Sequence, residues 1–187
     1  IAMFIREKTS VLAIVNTKDA AFNIFRGISD RLNALNYKQV QIQQGLSDEE
    51  LKECAKGCRE DEILSVHLST LMCPKHRKEI LRWIKAWLLG KKLVCCVSTA
   101  LIEAGINVSF PIVVRSWAGI PSLIQAAGRC NRNCEEDTGR VYIWNLTEES
   151  LGPLPDIQKG KEFSMSLLRD VENPDELGNP EMIKKYF

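Results

Sequence analysis

Short apolar runs alternate along this chain with longer segments in which apolar residues recur every three or four positions. The runs predict strands over 11–15, 63–68, 93–97, 112–115 and 141–144. The amphipathic segments predict helices that end near Leu35 and over 74–89, with further helices near Leu101 and Ser122. Strand and helix alternating at this spacing favour an α/β fold, in which a mostly parallel sheet is covered by helices on both faces.

Two regions interrupt the alternation. Residues 39–62 are polar and contain an acidic, helix-like piece over 47–53, which we interpret as an insertion without an assigned role. From Leu151 onward a Gly-Pro-Leu-Pro sequence precedes a predicted helix over 156–171 and a tail that contains Pro and Asn. We therefore divide the chain into a main domain over 1–150 and the start of a largely helical C-terminal extension over 151–187.

Polar pairs follow three of the predicted strands. Ligands of parallel α/β sheets gather at the carboxyl ends of the strands, where hydroxyl groups and free backbone N–H groups suit a phosphate. The pairs are Asn16-Thr17, Ser69-Thr70 and Ser98-Thr99. They predict a track for nucleic acid along this edge, while plain helix capping is an equal alternative for Ser98 and Thr99.

Composition limits the class of protein only loosely. With 187 residues, of which 45% are hydrophobic, the chain is long enough for a sizeable core, and a net charge of +1 neither demands nor excludes nucleic acid. The basic positions 75, 78, 82 and 85 recur at helical spacing, which fits either a solvated helix face or part of a cationic track. Seven cysteines, an odd number, favour a reducing cytosol, and no apolar run reaches the ~18 residues of a membrane span.

Metal binding is not predicted. Two cysteine pairs, Cys54 with Cys58 and Cys130 with Cys134, have three residues between them rather than the two that are usual in zinc sites. The Gly90-Lys91-Lys92 sequence is read as a helix C-terminus with a basic turn, because it lacks the other residues of a phosphate-binding loop.

The richest chemistry lies in residues 125–132, Gln-Ala-Ala-Gly-Arg-Cys-Asn-Arg. Arginine stays charged and presents a rigid fork of donors that matches phosphate oxygens. A separation of three on a helix would bring Arg129 and Arg132 to one face. Two arginines at this spacing are also common on solvated surfaces, so the pair alone does not decide between a phosphate site and an ordinary surface.

The pattern Gln-x-x-Gly-Arg-x-x-Arg resembles motif VI of superfamily 2 helicases, and residues 97–107 resemble motif V. We name these the motif VI segment (125–132) and the motif V segment (97–107). The resemblance implies that Arg132 is an arginine finger toward ATP and that Arg129 holds phosphates or the domain interface. It assigns further ATP contacts to Gln125, Gly128, Glu103, Gly105 and Asn107, although Asn107 replaces an aspartate found in many relatives and also suits a turn.

The sequence of residues 11–145, including 68–77 and 118–122, is similar to the helicase part of the CRISPR-associated helicase-nuclease of type I systems. The chain lacks a Gly-x-x-x-x-Gly-Lys-Ser/Thr loop and an Asp-Glu-x-His/Asp sequence. The resemblance therefore implies only the second RecA-like domain, a three-layer α/β sandwich, with ATP and Mg²⁺ held mainly by the first domain. Its implied partners are single-stranded DNA, the first RecA-like domain, the nuclease domain and the CRISPR RNA-guided surveillance complex, all in a prokaryotic cytoplasm.

The resemblance therefore implies that the chain is one half of an ATP-dependent translocase on single-stranded DNA, and that this half is inactive alone. Two other readings stay open from the sequence. The chain is then either a non-catalytic module that binds nucleic acid or protein, or the same domain from another superfamily 2 helicase.

Overall fold

A computed structural model describes residues 1–103, 105–135, 137–147 and 149–169. Within these residues, six strands are β1 (Val11–Val15), β2 (Lys38–Gln39), β3 (Glu62–Leu68), β4 (Val94–Thr99), β5 (Ile112–Ser116) and β6 (Arg140–Trp144). The helices are α1 (Ala2–Arg6), α2 (Lys18–Ala34), α3 (Asp48–Gly57), α4 (Pro74–Leu89), α5 (Ile120–Ala127) and α6 (Pro155–Leu168). A 3-10 turn, Ala100–Ile102, follows β4.

The strands form one parallel sheet in the order β2-β3-β4-β1-β5-β6. β1 and β4 lie in the middle of the sheet and are buried along their whole length. This explains their nearly continuous apolar sequences, since a strand covered on both faces has no polar side. The α/β fold with a parallel sheet that the sequence predicts is confirmed.

Two apolar layers enclose the sheet. One packs α3, α4 and Ala126 of α5 against alternate side chains of the strands, with Trp83 and Trp87 of α4 stacked at 4.8 Å between ring centroids. The other packs α1 and α2 on the opposite face, through Phe4, Ile5 and Leu32. Alternation of strand side chains between the two faces gives the three-layer arrangement.

The 39–62 region is part of the fold rather than an added insertion. β2 pairs in parallel with β3 at the edge of the sheet, and Leu51 and Ala55 of α3 are buried against α4. α3 begins with a capping box between Ser47 and Glu50, in which each side chain bonds the other's backbone N–H. The interpretation of this region as an insertion was wrong, because a two-residue strand and a helix with few apolar positions leave a weak periodic signal.

Some predicted boundaries shift. β4 runs on to Thr99 instead of ending at Val97, and the helix expected near Leu101 is a single 3-10 turn. α6 confirms a helix after Gly-Pro-Leu-Pro and contacts α5, while the predicted end at Val171 and the tail behind it lie outside the described residues. The division at residue 150 stays a prediction. Across the described residues, the helices are all too short or too polar to cross a membrane.

Candidate functional site

The three polar pairs meet at one edge of the sheet. β3, β4 and β1 are neighbours, and their registers place Leu68 beside Ser98 and Val15 beside Thr99. The pairs that follow these strands therefore lie side by side at the carboxyl ends. We call this region the strand-end edge (residues 16–17, 69–70 and 98–99).

Most of these side chains are turned inward. Ser69 and Ser98 are fully buried, and Asn16 and Thr99 are more than nine-tenths buried. Thr70 is exposed and Thr17 is half-buried, so the strand-end edge offers mainly these two side chains to a ligand.

The hydroxyl groups differ in what they do. Thr17 caps α2, since its Oγ1 accepts a hydrogen bond from Ala20 N at 3.2 Å. Ser98 Oγ donates to Thr99 O at 2.9 Å, and Thr99 makes no side-chain cap before the 3-10 turn. Helix capping, the alternative for Ser98 and Thr99, was thus wrong: Thr99 stands at the N-cap position of the 3-10 turn but its side chain makes no cap hydrogen bond, and the Ser98 hydroxyl donates to Thr99 O.

Asn16 is the centre of a buried polar network at the end of β1. The two hydrogens of its Nδ2 are shared among three acceptors, Ser116 Oγ at 3.0 Å, Trp117 O at 2.9 Å and Glu149 Oε2 at 2.8 Å. The other oxygen of Glu149 accepts from the backbone N–H groups of Asn16 and Thr17, at 2.6 and 3.0 Å. A carboxylate of this chain therefore lies at the N-terminus of α2, where the helix dipole favours negative charge.

A groove of about 540 Å³ lies beside this helix end. Its lining includes Thr17, Asn23 and Leu154. The groove lies between the start of α2 and the segment that leads into α6, and Asn16 and Thr17 are the residues of the strand-end edge that line it.

Arg115 and Glu103 form a buried ion pair on the other side of Asn16. Arg115 Nε lies 2.7 Å from Glu103 Oε1, and the two side chains are at most 4% exposed. Burial raises the pKa of the Glu103 carboxyl and lowers the pKa of the Arg115 guanidinium, while each charge opposes the shift of the other. Arg115 NH1 also donates to Asn16 Oδ1 at 2.8 Å and to Ser116 Oγ at 3.1 Å.

The motif VI segment leaves the helix before its arginines. α5 ends at Ala127, and the backbone then pairs with Phe110, whose N–H donates to Arg129 O at 2.9 Å and whose carbonyl accepts from Asn131 N at 2.8 Å. Asn131 has a φ of 44°, in the left-handed region. The prediction of a shared helical face for Arg129 and Arg132 was wrong, because this pairing replaces the next helical turn.

The two arginines have different surroundings. Arg129 is buried, and its Nε donates to Ile102 O at 3.0 Å while its NH2 donates to Glu103 O. Burial lowers the pKa of Arg129, and the nearby charge of Arg132 lowers it further. Arg132 itself is exposed. Arg129 thus binds the motif VI segment to the motif V segment, and Arg132 is the guanidinium that faces solvent.

The other residues that the resemblance assigns to ATP also include both exposed and buried side chains. Gln125, Gly128, Gly105 and Asn107 are exposed, and the φ of Gly105, 70°, is one that other residues rarely adopt. Asn107 lines a small groove of about 170 Å³ with Asn133 and Lys85. The Glu103 carboxylate faces Arg115 in the interior, so only its backbone is shared with the motif VI segment.

Arg82, in the basic stripe of α4, is held by other parts of the fold. It donates to Asp48 Oδ1 at 2.8 Å, Glu79 Oε2 at 2.9 Å and Leu46 O at 2.6 Å, which joins α4 to α3. The stripe is therefore interrupted in its middle, which favours the solvated-face interpretation. No group of three or more metal-ligating side chains occurs in the described part of the chain.

Sequence reasoning missed Arg115, Ser116 and Glu149. One signal was present, since Arg115 follows three apolar residues in a predicted strand and a buried charge requires a partner. The identity of the partner was hidden, because Glu103 and Asn16 lie 12 and 99 positions away. Glu149 gave no signal among the polar residues that precede the Gly-Pro-Leu-Pro sequence.

The fold and the site define a RecA-like α/β domain whose motif V and motif VI segments are joined through Arg129. The family model of the C-terminal part of the CRISPR-associated nuclease/helicase Cas3 matches residues 7–135, and the chain belongs to this family. A Cas3 nuclease/helicase from Haloferax volcanii is 44% identical over 54 residues, which are 28% of this chain and 6% of that relative.

Solved structures show the same fold. A crystal structure of T. fusca Cas3 matches with a TM-score of 0.64 at 13% identity, covering 99% of this chain and 20% of that one. T. fusca Cas3 with AMPPNP matches with a TM-score of 0.59 at 14% identity, covering 95% and 22% of the two chains. The chain thus spans about a fifth of these solved chains and a smaller share of the curated relative.

Proposed function

We propose that this chain is the second RecA-like half of an ATP-dependent translocase on single-stranded DNA that acts in CRISPR interference. The observation that carries the proposal is the pairing of an anchored arginine with an exposed one. Arg129 is fixed by the carbonyls of Ile102 and Glu103, and the exposed Arg132 follows three residues later. Arg129 fixes the backbone of the motif VI segment, and an exposed guanidinium three residues further on is suited to stabilising charge that develops on a phosphoryl group.

The residues present fit a partial nucleotide site. Arg132, Gln125 and Gly128 are exposed around the end of α5, and Gly105 and Asn107 are exposed in the motif V segment. Bound ATP supplies the γ-phosphoryl group that is hydrolysed, and we assign Arg132 to that group, Gln125 to the nucleotide, and Asn107 to the ribose. The buried Glu103 acts here through its backbone and through Arg115, without direct contact to the nucleotide.

Most of the catalytic machinery belongs elsewhere in this proposal. The sequence contains no Gly-x-x-x-x-Gly-Lys-Ser/Thr loop and no Asp-Glu-x-His/Asp sequence. ATP and Mg²⁺ are therefore held mainly by a first RecA-like domain, and the 187 residues alone do not hydrolyse ATP. We call the protein that combines both domains the parent protein; its nuclease domain and the RNA-guided surveillance complex are its further partners.

The strand-end edge forms part of the DNA track. Thr17 and Thr70 offer hydroxyl groups, and Thr17 lines an open groove. The backbone N–H groups of Asn16 and Thr17 at the start of α2 already donate to Glu149, so the contacts we assign to DNA here are those of the two hydroxyl groups. Contacts of this kind position a phosphate backbone without reading bases, so binding by this edge is indifferent to sequence.

The test is the ATPase rate of the parent protein with Arg132→Ala. We expect kcat to fall by about 10³-fold or more, with a smaller effect on ATP binding, since an arginine finger acts mainly in the transition state. Arg132→Lys should recover only part of the rate, because an ammonium lacks the fork. Arg31→Ala, which removes an exposed arginine near the end of α2, is the matched control and should leave the rate unchanged.

A parental rate in Arg132→Ala would refute the finger. If the parent protein also bound DNA without any hydrolysis, the non-catalytic binding module would be the correct function.

A further inference from the structure

Arg115 lies between the two halves of the site and touches both. On one side its Nε lies 2.7 Å from Glu103 Oε1, in the motif V segment. On the other side its NH1 donates at 2.8 Å to Asn16 Oδ1, in the strand-end edge. The side chain is almost fully buried at the carboxyl end of β5, so no water replaces either contact without a change in packing.

Each contact leads onward to a proposed ligand. Glu103 O accepts a hydrogen bond from Arg129, three residues before the exposed Arg132. Asn16 shares the carboxylate of Glu149 with the backbone N–H of Thr17, at the start of α2. An unbroken series of polar contacts thus connects the motif VI segment with the helix end beside the groove.

We infer that Arg115 is a positioning residue that couples the nucleotide side of this domain to its DNA side. The inference rests on the proposed function and names the residue through which the two ligands affect each other. Arg115 touches neither ligand itself, so it acts through Glu103 and Asn16.

The chemistry of the side chain explains why an arginine stands here. Its planar fork has donors on separate edges, so one guanidinium forms an ion pair with Glu103 through Nε and donates a hydrogen bond to Asn16 through NH1. A buried charge that loses its partner is costly, so a displacement of Glu103 obliges Arg115 to follow it. Asn16, bonded to the same guanidinium, is then displaced as well. A series of contacts of this kind is one means by which two sites share a coupling free energy, and the coupling itself has to be measured.

The experiment measures coupling directly in the parent protein. Fluorescence anisotropy gives the Kd for a labelled oligonucleotide with and without a non-hydrolysable ATP analogue, and the ratio of the two values is the coupling factor. Linkage requires the same factor for the effect of DNA on analogue binding, which provides an internal check. We expect a factor of at least about 5 in the unchanged parent protein.

Arg115→Lys is the decisive variant. Lysine keeps the positive charge, but all its N–H donors are on a single nitrogen. It therefore reaches Glu103 or Asn16 and not both. We expect its coupling factor to fall below about 2, with each ligand still bound alone, which a loss of folding would not produce. Arg82→Lys is the matched control, because Arg82 also joins two elements through several hydrogen bonds but lies on α4, away from the strand-end edge.

Each result decides between the claims. An unchanged coupling factor in Arg115→Lys overturns the role of Arg115 and leaves the proposed function intact. No binding of DNA or nucleotide by the unchanged parent protein overturns the proposed function and this inference with it.

If Arg115→Lys does not fold, the double variant Glu103→Leu/Arg115→Met removes both charges together, a change that buried ion pairs often tolerate. Coupling that persists in that variant also overturns the inference.

Discussion

Arg129 should contribute far more to stability than Arg132, although both belong to one motif. Arg129 is buried and donates to two backbone carbonyls, Ile102 O and Glu103 O, whereas Arg132 is exposed. Replacing Arg129 by Ala removes both hydrogen bonds and opens space between the motif V and motif VI segments. Arg132→Ala removes only a solvated side chain, and it also takes away a charge that repels Arg129.

The magnitude follows from the two bonds. A hydrogen bond from a charged group contributes about 1.5 kcal/mol at the low end, so Arg129→Ala costs about 3 kcal/mol of unfolding free energy. For a chain of this length each kcal/mol corresponds to about 2–4 °C, so the melting temperature should fall by about 6–12 °C. A surface substitution such as Arg132→Ala stays within about 0.5 kcal/mol, or about 1–2 °C.

The assay is thermal unfolding of the 187-residue chain, followed by circular dichroism at constant pH and salt. Arg129→Lys adds a graded test, because an ammonium reaches one of the two carbonyls and should recover about half of the loss. The reasoning is refuted if Arg129→Ala melts within 2 °C of the unchanged chain, taking about 2 °C as the change expected of an ordinary surface residue. A larger loss in Arg132→Ala than in Arg129→Ala would refute it as well.

Two further predictions concern single positions with matched controls. A Cβ on Gly139 would lie 2.7 Å from Cys130 Sγ, so Gly139→Ala should displace the motif VI segment. We expect a loss of about 1–3 kcal/mol in the free energy of unfolding and slower ATP hydrolysis by the parent protein. Gly152→Ala, where a Cβ meets open space, should change neither the stability nor the rate. His67 is half-buried between aromatic rings, and burial lowers its pKa below the usual 6.5, so only the unfolded chain gains this proton as pH first falls past that value. Urea unfolding should therefore show that the free energy of unfolding falls between pH 7.5 and 5.5, and that it falls less in His67→Gln. The control His76→Gln changes an exposed histidine and should behave like the unchanged chain. If His67→Gln lost as much stability over this range as the unchanged chain, His67 would not be the cause of the pH dependence.

Most strands of the sheet were predictable because buried strands have nearly continuous apolar sequences. β1 and β4 are apolar almost throughout, and α4 begins at Pro74 and ends at Leu89 as its periodicity predicts. β2 was not predictable, since Lys38 and Gln39 are polar, are at least partly exposed, and join β3 through backbone pairing. Pairing of that kind depends on the neighbouring strand and leaves no apolar pattern.

The placement of the candidate residues at the strand ends was predictable, but the orientations of their side chains were not. The strands bring Asn16, Ser69 and Ser98 to one edge, as the order of strands and helices predicts. Which hydroxyl groups face solvent depends on side-chain packing, and the sequence does not encode it locally. The inward direction of Arg129 has the same origin, because it is set by contacts with Phe110 and Ile102 from earlier in the chain.

The buried network raises the question of why this edge is polar in its interior. A buried ion pair is a weak source of stability, since desolvation offsets the attraction, and apolar residues of similar size often serve a fold as well. A contribution to stability alone therefore does not explain why Arg115 and Glu103 occupy these buried positions. Their effect on geometry is a better explanation, because the ion pair holds β5 beside the motif V segment and the hydrogen bond to Asn16 fixes β5 relative to the end of β1. Under the proposed function, Arg132 contacts a nucleotide held by another domain, and narrow positioning then matters because displacements of about 1 Å cost large factors in rate.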